Sequence, residues 1–150
     1  MAKLLLKSTL AAEHREELEE LLFFHPQQNK VQEGIVYSIK KYGTPKIVDK
    51  NDNLHIEFDQ FPGVQTLYAF DKIGNIEKLI GSLIYYRTDT ETIEVLHIDI
   101  QEKYTLTGPL ANRQVMLWFI INLKRIAKKV KGIRTIQLTY NADHGRSIPV

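Results

Sequence analysis

The second half of the chain carries the pattern that most constrains its fold. Three strand-like runs joined by short turns lead into one long helical run, and a further strand-like run follows the helix directly. The bounds are Leu67–Asp71, Leu79–Arg87, Thr92–Gln101, Pro109–Val130 and Arg134–Tyr140. This order predicts an α+β (α/β) fold with a mixed, mainly antiparallel twisted sheet of about six or seven strands.

The first half adds a strand, a helix and a hairpin. Lys3–Lys7 is typical of a strand, and Ser8 or Thr9 is a candidate N-cap for an amphipathic helix that Pro26 ends. Its apolar face would hold Leu10, Leu18, Leu21 and Leu22. Lys46–Asp49 and Leu54–Asp59 then predict a hairpin.

Composition sets the outer limits. The chain has 150 residues, a formal net charge of +2 and no cysteine. We expect one domain over residues 1–150, without disulfides or thiolate chemistry. Since Val115–Ile121, the longest apolar run, is too short to span a bilayer, we expect a cytoplasmic protein without a membrane partner.

Strict alternation along Thr92–Gln101 sorts its side chains into two faces. One face would be apolar except for Glu94, and it holds Glu94, Leu96, Ile98 and Ile100. The other face would be largely polar, and it holds Val95, His97, Asp99 and Gln101. A sheet covered on both sides needs apolar residues on both faces, so we expect one face to be partly open, to line a cleft or to meet a partner.

The long helix begins with an apolar run that covers nearly every direction. We expect this first half to be buried on more than one side, with Trp118 or Phe119 mostly buried. A lysine-rich end and Gly132 are typical of a helix C-terminus.

The segments "LYAFD", "KLIGSLIYY", "IEVLHIDIQEKY" and "IRTIQLTYNAD", with a helix before the last, resemble the centre of the Gcn5-related N-acetyltransferase (GNAT) family. The resemblance covers roughly residues 67–141. It implies a GNAT-like fold and transfer of an acetyl group from acetyl-CoA to an amine of a small molecule or protein. Gly81 and Asn141 stand where that family often has glycine and asparagine.

The resemblance also implies roles for particular residues. The backbone of Ile98 to Ile100 would hold the pantetheine arm, and Thr105, Thr107, Gly108 and Asn141 would belong to the cofactor site. Glu94 would be the general base and Tyr140 the acid for the leaving thiolate. From the residues alone, Glu94 is equally readable as a strand-end glutamate that reaches solvent, and Tyr140 as an ordinary strand residue.

The phosphate-binding loop departs from the family motif. Gly108 takes the first glycine position, but Thr105 stands for glutamine or arginine and Leu110 for the second glycine. Pro109 has no N–H to donate, and Gly108-Pro109 also fits an ordinary helix start. Two functions therefore stay open: an acyl-CoA-dependent N-acyltransferase with weak CoA affinity, or a non-catalytic GNAT-like interaction module.

The remaining expectations concern partners. The pairs His97/Asp99 and His55/Glu57 are too few ligands for a metal site, so none is expected. The basic end of the helix lacks interleaved aromatic residues, so nucleic acid is not an expected partner. Arg134–Tyr140 would be an open sheet edge, which a second copy or the returning tail would cover; we expect a homodimer.

Overall fold

A computed structural model describes residues 3–23, 43–59, 61, 63–104, 114–139 and 145–150. The strands are β1 (Lys3–Lys7), β2 (Leu10–Ala11), β3 (Lys46–Lys50), β4 (Asn53–Glu57), β5 (Gln65–Ile73), β6 (Ile76–Arg87), β7 (Thr92–Ile100), β8 (Thr135–Thr139) and β9 (Gly145–Pro149). The helices are α1 (Arg15–Phe23) and α2 (Val115–Lys128).

The main sheet has six strands in the order β1-β5-β6-β7-β8-β9. Every neighbouring pair is antiparallel except β7 and β8, which run parallel. A parallel pair requires a crossover, and the chain between these strands contains α2. The predicted fold class is confirmed: α+β, with a mixed, mainly antiparallel sheet and the order of elements that the GNAT resemblance implies.

A second, three-stranded sheet in the order β2-β4-β3 was not predicted as a separate unit. Its hairpin, β3–β4, was predicted, and the turn residues Asn51 and Asp52 both have positive φ, at 54° and 65°. Two such residues make the tight turn that suits the strand twist. Leu54, Ile56 and Phe58 all point into the core, as the alternation predicted.

Two apolar clusters cover the two faces of the main sheet. One packs α2 against the sheet through Phe119, Leu123 and Ala127, all fully buried. The other packs α1 and the small sheet against the opposite face through Leu18 and Leu21. The expectation of a partly open face is therefore wrong, because both faces of the central strands are covered.

The N-terminal helix begins later than predicted. Leu10 pairs with Leu54 in a strand, a 3₁₀ turn follows over Ala12–His14, and α1 starts at Arg15. Glu17 joins α1 to the sheet, because its carboxylate accepts the backbone N–H of Leu79 at 2.7 Å.

The long helix is shorter at its described end and less buried than expected. It ends at Lys128 rather than Val130, while the predicted start at residues 109–113 lies outside the described residues. Phe119 is fully buried and Trp118 half-buried, which confirms the packing prediction. The all-round burial is wrong: three apolar side chains of its first half are 40–52% exposed, namely Met116, Leu117 and Ile121.

The predicted open edge at β8 is wrong as well. The tail returns as β9 and pairs antiparallel with β8 from Thr135↔Pro149 to Thr139↔Gly145. Pro149 limits further pairing of this new edge, since proline has no backbone N–H to offer a neighbour. An open edge at β8 therefore no longer argues for a homodimer. The homodimer and the single domain over residues 1–150 both stay predictions.

Candidate functional site

A β-bulge divides β7 at Leu96. Against β6, Tyr85 pairs with Val95 and Ile84 pairs with His97, so Leu96 is the extra residue. A bulge of this kind shifts the alternation of side chains by one position. The predicted grouping of Glu94 with Ile98 and Ile100 is therefore wrong. Glu94, Leu96, His97 and Asp99 share the α1 side, whereas Ile93, Val95, Ile98 and Ile100 share the α2 side.

The pairing of β7 with β8 stops at the same point. The register runs from Thr92↔Thr135 to Val95↔Leu138, and no later pair forms among the described residues. The second half of β7 thus extends beyond the described part of its parallel partner. In α/β sheets, ligands bind beyond the carboxyl ends of strands at such a place. We define Leu96–Ile100, with the side chains beside it, as the candidate site.

A buried histidine–aspartate pair is the chemically distinctive feature of this site. His97 Nε2 lies 2.7 Å from Asp99 Oδ2, and their side chains are 15% and 7% exposed. Burial alone lowers the pKa of His97, but the negative charge of Asp99 outweighs it, so the pKa of His97 lies above its usual value. The contact is an ion pair rather than an aligned hydrogen bond, because Asp99 Oδ2 makes no hydrogen bond within the described residues. The pair can hold a proton in a site that is largely closed to water.

Ser82 lies across from this pair on β6, where its Cα is the register partner of Asp99. Its hydroxyl oxygen is fully buried and has no hydrogen-bond partner within the described residues. A buried hydroxyl without a partner is unusual, because it forfeits the hydrogen bond that it made with water. The site therefore brings together three polar side chains, from Ser82, His97 and Asp99, under an otherwise apolar surface.

Sequence analysis placed His97 and Asp99 on the polar face of the strand and weighed them as metal ligands, but it did not consider them as a proton-holding pair and it missed Ser82. No cluster of three or more His, Cys, Asp or Glu side chains suited to a metal occurs in the described part of the chain.

Glu94, the predicted base, lies on the same face as His97 but on the other side of the bulge. It is half-buried, with Tyr86 as its register partner on β6 and Gln137 on β8. Glu94 also has an interacting partner. Glu94 therefore lies beside the candidate site, and its side chain is not free of interactions there.

The predicted cofactor residues of β7 direct their side chains away from the α1 face. Ile98 and Ile100 pack into the α2 cluster, and Ile100 is 8% exposed. That their backbone contacts a cofactor stays a prediction. The other predicted positions lie outside the described residues: Thr105, Thr107, Gly108, Tyr140 and Asn141.

The α2 side of the site is closely packed. A Cβ built on Gly81 would lie 3.0 Å from the carbonyl oxygen of Asp99 and 3.0 Å from Cε2 of Phe119. Nearby, the buried Tyr104 hydroxyl donates to Asp71 Oδ2 at 2.6 Å. Close packing thus leaves little room for any side chain at position 81. The bond of Tyr104 to Asp71 holds the chain just after β7 against β5.

A cavity of about 240 Å³ lies elsewhere, at the other end of α2. The cavity lies between the start of β5, the end of β6, the start of β7 and the residues around the end of α2. Its lining includes Gln65, Tyr85, Arg87, Ile93, Ile126 and Val130. It does not coincide with the candidate site at the carboxyl end of β7.

Comparison with solved structures finds chains of similar fold. No protein-family model matches the chain, and no curated protein matches it. The fold is similar to a crystal structure of an acetyltransferase from Streptococcus agalactiae 2603, with 19% identity and a TM-score of 0.48. The match covers 90% of this chain and 71% of that one. A likeness at this level decides nothing about activity.

None of the described helices is long and apolar enough to cross a membrane.

Proposed function

We propose that the protein is an acyl-CoA-dependent N-acyltransferase that moves an acetyl group from acetyl-CoA to an amine of a small molecule or protein. The observation that carries the proposal is the buried His97–Asp99 pair on the part of β7 that extends past its described pairing with β8. Acetyl-CoA supplies the activated acyl group as a thioester; this chain supplies binding, a proton acceptor and exclusion of water.

The extended backbone of Ile98 to Ile100 suits the pantetheine arm, because the side chains of Ile98 and Ile100 pack in the α2 cluster and leave the main chain to do the binding. Thr105, Thr107 and Gly108 would hold phosphate in the loop before α2, with Asn141 beside them. Pro109 and Leu110 argue for weak binding, since one removes a donor and the other adds bulk. Each change is worth about 1–3 kcal/mol, which predicts micromolar to millimolar affinity for CoA.

Two residues compete for the role of general base. His97 has Nε2 on Asp99, so Nδ1 is the nitrogen that would take the proton of the attacking amine. Glu94 is the base that the family resemblance implies, acting directly or through water. We favour His97, because Asp99 stabilises the protonated ring that the reaction would create. Tyr140 stays the proposed acid for the leaving thiolate.

Binding is measured first, by calorimetry with acetyl-CoA and with desulfo-CoA. Saturable binding in the micromolar to millimolar range supports the proposal; no binding at millimolar concentration contradicts it. Acetyl transfer to a panel of primary amines is then followed by thiol release.

The base is identified from the pH dependence of kcat/KM. If His97 is the base, activity rises with pH through a raised histidine pKa, His97→Gln removes this limb and Asp99→Asn moves it to lower pH. Glu94→Gln then leaves the limb in place. If Glu94→Gln removes the activity while His97→Gln keeps the limb, the assignment to His97 is wrong and Glu94 is the base.

A second candidate, a non-catalytic GNAT-like interaction module that forms a homodimer, is favoured by one feature of α2. Leu117 and Ile121 lie one turn apart on α2 and are 52% and 46% exposed, so they form two adjacent apolar side chains on the helix surface. Light scattering across a concentration series separates the two. A constant mass near 17.4 kDa argues against a stable dimer. If a dimer forms, Ile121→Ser should dissociate it without affecting CoA binding.

A further inference from the structure

The cavity at the end of α2 has the composition of a small-molecule site. Its wall is apolar, with Ile93 from the sheet and Ile126 and Val130 from the helix end. Its volume of about 240 Å³ exceeds the ~150 Å³ of an engineered protein cavity that takes up benzene. It falls below the roughly 300–1,000 Å³ of sites for drug-sized ligands. A compact ligand of about one ring and a short chain is the matching size.

Polar groups gather on one side of this apolar space. The Tyr85 hydroxyl donates to Gln65 Oε1 at 2.7 Å. Since Oε1 of Gln65 accepts this bond, its NH₂ group is the part of this lining residue that can donate to a ligand. Burial raises the pKa of Tyr85, which keeps its hydroxyl protonated and the bond intact at neutral pH.

Arg87 adds a positive charge. Its Nε donates to the carbonyl of Asp89 at 3.1 Å, and its Nη2 donates to the carbonyl of Thr90 at 2.8 Å and to that of Lys131 at 3.3 Å. These carbonyls fix the guanidinium but do not neutralise it. Arg87 is exposed, and within the described residues no carboxylate lies within ion-pair distance of it. The carboxylate of Asp89 is nonetheless near, since its pKa is lowered mainly by the backbone N–H of Glu91 and to a smaller extent by the charge of Arg87. The described bonds of Arg87 use Nε and Nη2 and leave Nη1 for a ligand. A fixed guanidinium with donors to spare is suited to a carboxylate.

We propose that this cavity binds a small monocarboxylate with an apolar body, such as an arylalkanoate, with its carboxylate on Arg87 Nη1 and the Gln65 amide and its body against Ile93, Ile126 and Val130. The site is separate from the proposed acyl-transfer site. The eleven residue-to-residue steps from Val115 to Ile126, at about 1.5 Å each, put it roughly 16 Å along α2 from the start of that helix.

The proposal is tested by ligand-detected NMR titration with 3-phenylpropanoate and its neutral amide, 3-phenylpropanamide. We expect saturable binding of the acid, and roughly tenfold weaker binding of the amide, because the amide lacks the charge that Arg87 recognises. No saturable binding of the acid up to about 10 mM, or equal affinity for acid and amide, overturns the proposal.

Two variants locate the ligand. Ile126→Phe fills the apolar space and should abolish binding, whereas the same substitution at the exposed Ile121 of the same helix should leave binding unchanged. Gln65→Glu, at an exposed residue and thus safe for the fold, should weaken the acid roughly tenfold and leave the amide unaffected. Full retention of acid binding in folded Ile126→Phe, or in Gln65→Glu, places the ligand elsewhere and refutes the assignment.

Discussion

Replacing Gly81 by alanine tests the packing between β6, β7 and α2 most directly. The added methyl group would lie 3.0 Å from the Asp99 carbonyl oxygen and 3.0 Å from Cε2 of Phe119. Neither neighbour has room to move. The register Gly81↔Ile100 fixes β7, and the Phe119 ring is fully buried.

The expected loss of stability follows from two opposing effects. Overpacking a core by one methyl group typically costs about 1–3 kcal/mol. Removing a glycine from a strand returns about 0.4–1 kcal/mol, because the unfolded chain loses conformational freedom. We therefore expect Gly81→Ala to lower the free energy of unfolding by about 1–2 kcal/mol, equivalent to a melting temperature lower by roughly 2–8 °C.

Urea denaturation followed by tryptophan fluorescence measures this loss. The single tryptophan, Trp118, lies beside Phe119 with ring centroids 5.8 Å apart, so its emission reports the docking of α2. Phe119→Leu supplies the control: in the double variant, the cost of Gly81→Ala should shrink because the methyl group gains space. If Gly81→Ala is as stable as the parent protein, packing does not limit this position. A cost that stays the same beside Leu at position 119 would instead assign the clash to the Asp99 carbonyl oxygen and not to the Phe119 ring.

Three further predictions follow from buried polar groups. Ser82→Ala should leave stability unchanged or raise it by up to about 1 kcal/mol in urea denaturation, because it removes a buried hydroxyl without a described partner; a clear loss would reveal one. The pKa of His97 in the folded state lies above its unfolded value of about 6.5. Its contribution to the free energy of unfolding should therefore be complete below pH 6.5 and decline as pH rises through the higher folded pKa. This decline, measured by denaturation at pH 6 and pH 8, should vanish in Asp99→Asn, and its persistence there would contradict the pairing. Tyr104→Phe should lower stability by about 1–3 kcal/mol, since it deletes the 2.6 Å bond to the buried Asp71; thermal melts equal to the parent's would show the bond to be dispensable.

The sequence predicted correctly those helices and strands in which the spacing of apolar residues matches the face that is buried. The strands of the second half, the β3–β4 hairpin and the body of α2 all combine the right periodicity with turn residues at their ends. The start of α1 was misplaced, because Leu10 fits the apolar face of a helix as well as it fits a buried strand position. The pairing of β9 was not predicted, since Gly145–Pro149 is short and carries few of the residues that strands prefer.

The strand that carries the candidate site was predicted, but the faces of its side chains were not. The strand Thr92–Gln101 was identified as its framework, yet the bulge at Leu96 reversed the faces assigned to Ile98 and Ile100. A single extra residue leaves no compositional mark, because apolar residues occupy both faces around it: Val95 and Leu96 are 3% and 4% exposed. Only the partner strand reveals the shift, through the pairs of Ile84 with His97 and Tyr85 with Val95.

A second bulge explains why a glycine stands at position 81. Against β5, Phe70 pairs with Leu79 and Ala69 pairs with Gly81, so Ile80 is the extra residue on β6. Ile80 belongs to the α2 cluster, and the missing Cβ of Gly81 would also point at Phe119. Two consecutive positions therefore face the same helix. Since Ile80 already fills the space there, the residue at position 81 has to be the smallest one. The glycine that the family resemblance pointed to is therefore a steric consequence of the bulge.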